Sequence, residues 1–360
     1  MILSNTSNYM LKYQKAKSKL AEYDIPQNDY PNFPLNSNEL SYPIVFILSR
    51  YAESIIENNA TDREEFSQYL VFASQYFDAA VGAKDRAAYD VDFLLSGAAA
   101  YFLSDDFGSA KVLCSAFFNR TNPETNSPEK ILANLLGYLL LNRKFQISND
   151  ILAGERVCRS LLCYYKTGEG MEEIQQLLPE YRKKIYKNDD PMEIYYVDVL
   201  YAVIMVALSK SSWYLLPHYS ELESSLWLEY LKSQQAPKML WPAQQLICEK
   251  GILCGQSAIV QLPTGVGKTK SIELIIRSSF ISHRVSTAII VAPLRALCNE
   301  IASDMISAFG DEVLINQFSD VLENDFSLDL FLSLKSKILI CTPEKLSYII
   351  HHQVDFLNEI

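Results

Sequence analysis

Two textures of apolar patterning divide the chain. Over residues 1–235 apolar positions recur three and four apart. In EEFSQYLVFASQYFDAAV, the residues Phe66, Tyr69, Leu70, Phe72, Ala73, Tyr76, Phe77 and Ala80 make one broad stripe, the spacing of a helix with a buried face. Stripes of this kind predict helices near 85–104, 108–119, 129–143, 150–166, 171–187, 191–209 and 217–233. Pro, Gly, Asn and Asp predict breaks at 120–129 (RTNPETNSPE), 166–170 (KTGEG) and 188–191 (NDDP). A Pro- and Asn-rich loop, 24–39, is expected after a short first helix.

From about Gln235 onward, short continuous apolar runs alternate with helical stretches. SAIVQL (257–262), TAIIVA (287–292), EVLIN (312–316) and KILIC (337–341) have strand length and no polar alternation. Such runs suit parallel strands covered on both faces, and strand–helix alternation implies right-handed crossovers in a doubly wound sheet. The expected organisation is an all-α domain over 1–235 followed by an α/β domain over 236–360. Within the first, LLSGAAAYFLSDDFGSAKVLCSAFFNRTNPE has roughly tetratricopeptide spacing, with Ala98, Tyr101, Ala110 and Pro123 in place. No second copy follows at the same period. The region reads as helical-repeat-like hairpins packed as an ordinary all-α domain.

Composition narrows the chemistry. The net charge is −11, shared as −8 over residues 1–235 and −3 over 236–360. Neither part can hold nucleic acid by bulk positive charge, so any such contact must be local. Seven scattered cysteines without a C-x-x-C pair, and four histidines, give no zinc pattern and suggest reduced, mostly buried thiols of a cytoplasmic protein. VLYAVIMVAL (199–208) is too short for a bilayer and follows Asp198, so it reads as a core helix with no membrane role.

The chemistry-bearing stretch is LPTGVGKTKS (262–271), between an apolar run and the helical KTKSIELIIRSSF. Gly265 and Gly267 allow the backbone to turn its N–H groups inward around phosphate oxygens. Lys268 would pair with the β- and γ-phosphates, and the Thr269 hydroxyl would ligate Mg²⁺. The candidate ATP site therefore runs through Pro263, Thr264, Gly265, Val266, Gly267, Lys268, Thr269 and Lys270, with Lys268 and Thr269 as its catalytic members. Leu262 stands where the strict P-loop pattern wants Gly or Ala. Upstream, in MLWPAQQLICEK, Gln244 could match the adenine N6/N7 edge with its amide, Gln245 being the alternative, and Trp241 could pack near the base. After the second and fourth apolar runs come APLRALCNE and CTPEKL. Each starts a helix directly behind a strand. Pro293 and Arg295 in one, and Thr342 and Lys345 in the other, would seat phosphates of a nucleic-acid backbone on free helix N–H groups.

Gln244, PTGVGKT, PLRAL and TPEKL, in this order, resemble the first RecA-like domain of superfamily 2 helicases of DEAD/DEAH-box type, the Ski2-like branch most of all. The resemblance covers about residues 238–360. It implies an ATP- and Mg²⁺-dependent translocase on single-stranded DNA or RNA, with Gln244 at the adenine, residues 264–269 at the phosphates, and Arg295 and Thr342 on the strand. An added helical domain on such a motor suggests a protein partner such as a nuclease. Bacterial anti-phage defence helicases that work with a nuclease, such as those of Hachiman type, are one home that this resemblance implies. The family's Asp-Glu-x-His/Asp carboxylates and second RecA-like domain are not found in residues 1–360; Asp355 and Glu359 fall on a helix-like stretch, and His351 and His352 read as a polar helix end. The chain is therefore read as the N-terminal portion of a longer protein, ending before the carboxylate strand and inactive by itself. The rival expectation is a non-catalytic helical scaffold with a nucleotide-sensing P-loop domain.

Overall fold

The computed structural model describes residues 5–26, 30, 41–82, 91–121, 127–145, 153–263, 265–318 and 336–352. Most of the 24–39 loop, the centre of the 120–129 break, Thr264, Asp355 and Glu359 lie outside the described residues. The chain divides into two compact units, Met1–Ser211 and Ser212–Ile360.

The first unit is helical: α1 (Asn5–Glu22), α2 (Ser41–Ile56), α3 (Ala60–Gly82), α4 (Val91–Leu103), α5 (Phe107–Phe118), α6 (Pro128–Leu141), α7 (Ala153–Thr167), α8 (Met171–Tyr186) and α9 (Pro191–Ser209). Consecutive helices pack as hairpins along α3–α4–α5–α6 and α7–α8–α9. The α3–α4 approach is close because Gly97 has no side chain; a Cβ there would stand 2.9 Å from Phe77 and Leu113. α9 closes the unit by packing on α2, α4, α6 and α8. The array is thus not one-dimensional, as a solenoid would be. The expected break at 188–191 is built from Asp190, whose carboxylate accepts from the N–H groups of Met192 and Glu193 at 2.9 and 3.3 Å, with Pro191 as the first helical residue. α9 is longer than its apolar run. Its 19 residues are long and apolar enough to cross a membrane by length and composition. Yet Tyr196, Val197, Val199, Leu200, Val203 and Ile204 are buried against protein, which makes it the core helix that its pattern predicts.

The second unit holds α10 (Ser212–Ser220), α11 (Ser224–Lys232), α12 (Pro242–Glu249), α13 (Lys268–Ile281), α14 (Arg295–Phe309) and α15 (Pro343–His352). Three strands, β1 (Thr287–Val291), β2 (Leu314–Phe318) and β3 (Lys337–Cys341), form a parallel sheet in the order β1-β3-β2. The two units give the expected fold class, an all-α region followed by part of a RecA-like parallel α/β domain. β3 lies between its neighbours and every one of its residues is buried, as an uninterrupted apolar run requires. One face of the sheet, with Ile338 and Ile340, packs with Ile276 of α13 and with Cys298, Ala302, Met305 and Phe309 of α14.

Two expectations are corrected. The single helix over 217–233 is two helices, because the chain turns at Glu221 with φ +56°. Both α10 and α11 share a core with α12 and α13 through Leu216, Trp227, Leu240, Cys248 and Leu274, so they sit in the second unit although their sequence texture matches the first. The run at 257–262 is not a buried strand. It is without assigned secondary structure, and its Ile259 is fully exposed. A strand exists only when a neighbour supplies its ladder, and among the described residues this segment pairs with none.

Candidate nucleotide and nucleic-acid site

The loop at 263–270 is placed by the helices on either side of it. α12 is tied to the loop through Gln244. Its side-chain oxygen accepts from the Trp241 N–H at 2.6 Å, closing the first turn of α12, while its amide Nε2 donates to the Gly267 carbonyl at 3.4 Å. Gln244 is buried and Trp241 half-buried, whereas Gln245 turns back to the Leu240 carbonyl. The far side of α13 is held by Ser278, whose hydroxyl donates to the Leu253 carbonyl at 2.7 Å, and by Arg284, which donates to the same carbonyl.

Gly265 and Gly267 have φ of +83° and +87°, the left-handed region that favours glycine. A Cβ on Gly265 would meet nothing within 4 Å, so the loop has open space in front of it. Gly267 is the residue before α13, and Lys268 and Thr269 stand exposed in the first turn, where backbone N–H groups have no intrahelical acceptor. Open space, two left-handed glycines, a helix N-terminus, an ammonium and a hydroxyl fit a nucleotide phosphate. A magnesium ion would take one protein oxygen here, from Thr269, and depend on phosphate oxygens and further ligands; among the described residues no cluster of three metal-binding side chains occurs. Pro263 is exposed and Val266 half-buried on the same loop. Lys270 is turned elsewhere. Its ammonium donates to the Gln235 carbonyl at 3.1 Å and pairs with the buried Glu273.

The two helix starts expected to hold a strand emerge side by side. In the parallel register Val291 lies opposite Cys341, and the Ala292 N–H donates to the Cys341 carbonyl at 3.0 Å. The chain then leaves both strands at the same, C-terminal end of the sheet, into Pro293 and Arg295 at the start of α14 and into Thr342 and Lys345 at the start of α15. Pro293 and Arg295 are exposed, Thr342 and Lys345 half-buried. Glu344 is held below the usual carboxylate range by its own backbone N–H and by the Thr342 hydroxyl.

A glycine-containing loop before a helix, preceded by a buried glutamine and followed by two strand-to-helix turns at one end of the sheet, has the motif order found in helicase motor domains. Residues 241–360 match the DEAD/DEAH box helicase family model. The whole chain is also similar to the Hachiman protein HamB of Bacillus cereus, at 20% identity. The chain spans about a third of that relative's length, 35%. The matched region begins at Trp241, directly before α12, and takes in every candidate site residue. What its motifs left unannounced is the charged stripe Lys270, Glu273 and Arg277 on α13. Its only sequence signal is charge at helical spacing in an otherwise apolar segment.

Proposed function

We propose that this chain is the N-terminal portion of an ATP-dependent translocase acting on single-stranded nucleic acid. The observation that carries the reading is the Gly265–Gly267 loop opening α13, in the same unit as the adjacent helix starts at Arg295 and Thr342. ATP would sit with its phosphates on the loop N–H groups and Lys268, with Mg²⁺ on Thr269 and the base near Gln244 and Trp241. The strand's phosphates would lie on the starts of α14 and α15, with Arg295 and Lys345 as cations. The outer edge of β1 and the 257–262 segment with its bare Ile259, which pairs with nothing among the described residues, suit an intervening parallel strand. That strand would bring the carboxylates that complete Mg²⁺ binding. The helical first unit is assigned to partner recruitment, a nuclease in a cytoplasmic anti-phage system being the finer reading that the resemblance to the Hachiman protein suggests.

The test is steady-state ATP hydrolysis with saturating single-stranded DNA or RNA, using the complete protein, its Lys268→Ala variant and residues 1–360 alone. Turnover by the unmutated complete protein only is the expected result, because phosphoryl transfer depends on water-orienting and charge-stabilising groups beyond the P-loop, an arginine finger alone supplying about 10³–10⁵ in rate. Arg295→Ala should weaken strand binding and reduce the salt slope by about one. No hydrolysis by the complete protein would favour the scaffold alternative, and Lys268-independent hydrolysis would overturn the assignment of the loop as the catalytic site.

A further inference from the structure

α13 carries a buried charge cluster on the side turned toward α11 and α14. Glu273 is almost wholly buried, at 2% exposure. One of its oxygens accepts from the Tyr230 hydroxyl of α11 at 3.1 Å; the other pairs with the Lys270 ammonium. Arg277, one turn further, has its guanidinium between the rings of Tyr230 and Phe309, at 4.2 and 4.4 Å. It donates to Glu312 at 2.8 Å and to the Ala308 carbonyl at 2.9 Å. Lys270 reaches the Gln235 carbonyl, and the Gln235 amide donates to the Ser307 carbonyl at 3.3 Å. Two cations and two carboxylates therefore join the phosphate-loop helix to α11, to the connector after it and to the end of α14.

We propose that Glu273 is a positioning residue for the nucleotide loop, fixing the first turn of α13 through Lys270 and Tyr230; this rests on the nucleotide-binding reading above. Lys270 belongs to the first turn itself, two residues past Lys268, so an anchor on its side chain is an anchor on the loop. Buried ion pairs contribute little net stability compared with apolar packing of the same volume, so holding α13 in place does not need one. What a hydrogen-bonded charge cluster adds is direction. Apolar contacts from Leu274 and Ile276 tolerate a small rotation of α13, whereas the Tyr230–Glu273–Lys270 chain does not. Glu273 also draws the Lys270 ammonium toward Gln235, leaving Lys268 exposed at the head of the helix. Tyr230 is an ordinary aromatic core residue by its pattern, yet it delivers its hydroxyl to a carboxylate that shares a helix with the phosphate loop.

The experiment measures KM for ATP and the nucleotide-free melting temperature of the complete protein and of its Glu273→Gln, Lys270→Met, doubly substituted and Tyr230→Phe variants. Glu273→Gln and Lys270→Met are each expected to raise KM about tenfold, the loss of one charge-assisted hydrogen bond. The double variant should exceed the worse single by no more than about twofold, since the two groups act as one unit. Tyr230→Phe, which removes only a hydroxyl, should raise KM about threefold. Unchanged KM in Glu273→Gln and Tyr230→Phe with a lowered melting temperature would overturn the proposal and leave the cluster structural. Effects of the two singles that multiply in the double would overturn it too. If Glu273→Gln does not fold, Tyr230→Phe decides. Lys268→Ala separates this from the reading beneath it: ATP handling insensitive to Lys268 defeats nucleotide binding by the loop, whereas Lys268-sensitive binding indifferent to Glu273 and Tyr230 defeats only the positioning role.

Discussion

Gly267 carries two constraints at once. Its φ of +87° disfavours any side chain, and a Cβ there would stand 2.5 Å from the Gln244 amide that donates to its carbonyl. Gly265 has a similar φ and open space around it. Gly267→Ala should therefore weaken ATP binding and lower the melting temperature more than Gly265→Ala, for which only the left-handed backbone cost of about 1–2 kcal/mol applies; nucleotide titration and thermal melting of both variants check the order. The need for glycine was legible in PTGVGKT because it is a local φ requirement. The Gln244–Gly267 contact was not, because it joins residues that only the fold brings together. Glu273 escaped notice for the same reason: Lys270 and Glu273 at i, i+3 read as a solvated pair until burial is known. The thiols behaved as their apolar flanks implied. Burial pushes those of Cys114, Cys158 and Cys248 up to about 12, from an ordinary 9.0. They stay protonated in the fold at a pH where the unfolded chain releases the proton. Their contribution is thus complete below about pH 9 and lost as pH rises toward 12, so melting temperature should fall across that window. In the native protein at pH 8 a thiol reagent should react first with the exposed Cys163; faster reaction of Cys114 or Cys158 would contradict the burial.

Among the elements, those with a long broad stripe were legible and those that depend on a neighbour were not. α3 to α9 follow their apolar periodicity, and their boundaries follow Pro191, Asp190 and the positive-φ Gly168 and Gly170. The split of α10 from α11 turns on one residue, Glu221, in a conformation that its type does not announce. The 257–262 run has strand composition, but lateral pairing, which sequence does not encode locally, decides whether it becomes one. The α8–α9 pairing has its own lock. Arg182 donates to both carboxylate oxygens of Asp198, at 2.7 and 3.2 Å, and the Tyr186 hydroxyl donates to the same group at 2.6 Å. Asp198, the charge directly before the apolar run of α9, is thereby neutralised at the helix surface. Asp198→Ala should destabilise the first unit by about 2–3 kcal/mol, since charge-assisted bonds are lost and a half-buried guanidinium is left over; denaturant unfolding followed by circular dichroism gives the value, and a loss below about 0.5 kcal/mol would place the pair among ordinary surface ion pairs.

At the scale of the molecule, the sequence located the change from helical to mixed texture near Gln235, while contacts divide the chain between Ser211 and Ser212. The difference is α10 and α11. Helical texture reports local periodicity, but membership of a unit follows from whose core a helix fills, and Trp227 and Leu216 fill that of α12 and α13. Tyr230, which reaches Glu273, belongs to this annexed pair. The second unit therefore includes elements that lie outside the family-model match. In the first unit the arrangement of α9 governs the order of assembly during synthesis. α9 is the last of its helices to be made, yet it packs on α2, α4, α6 and α8, and its Tyr195 hydroxyl donates to Ser96, a residue 99 positions earlier, at 3.0 Å. Until Ser209 has cleared the ribosome, the earlier hairpins stand with their inner faces bare, and the nascent chain presents a large apolar surface to chaperones. A stall or cut before that point would release a sticky intermediate rather than a smaller folded protein, so the cell's window for capturing this chain closes with the emergence of one helix.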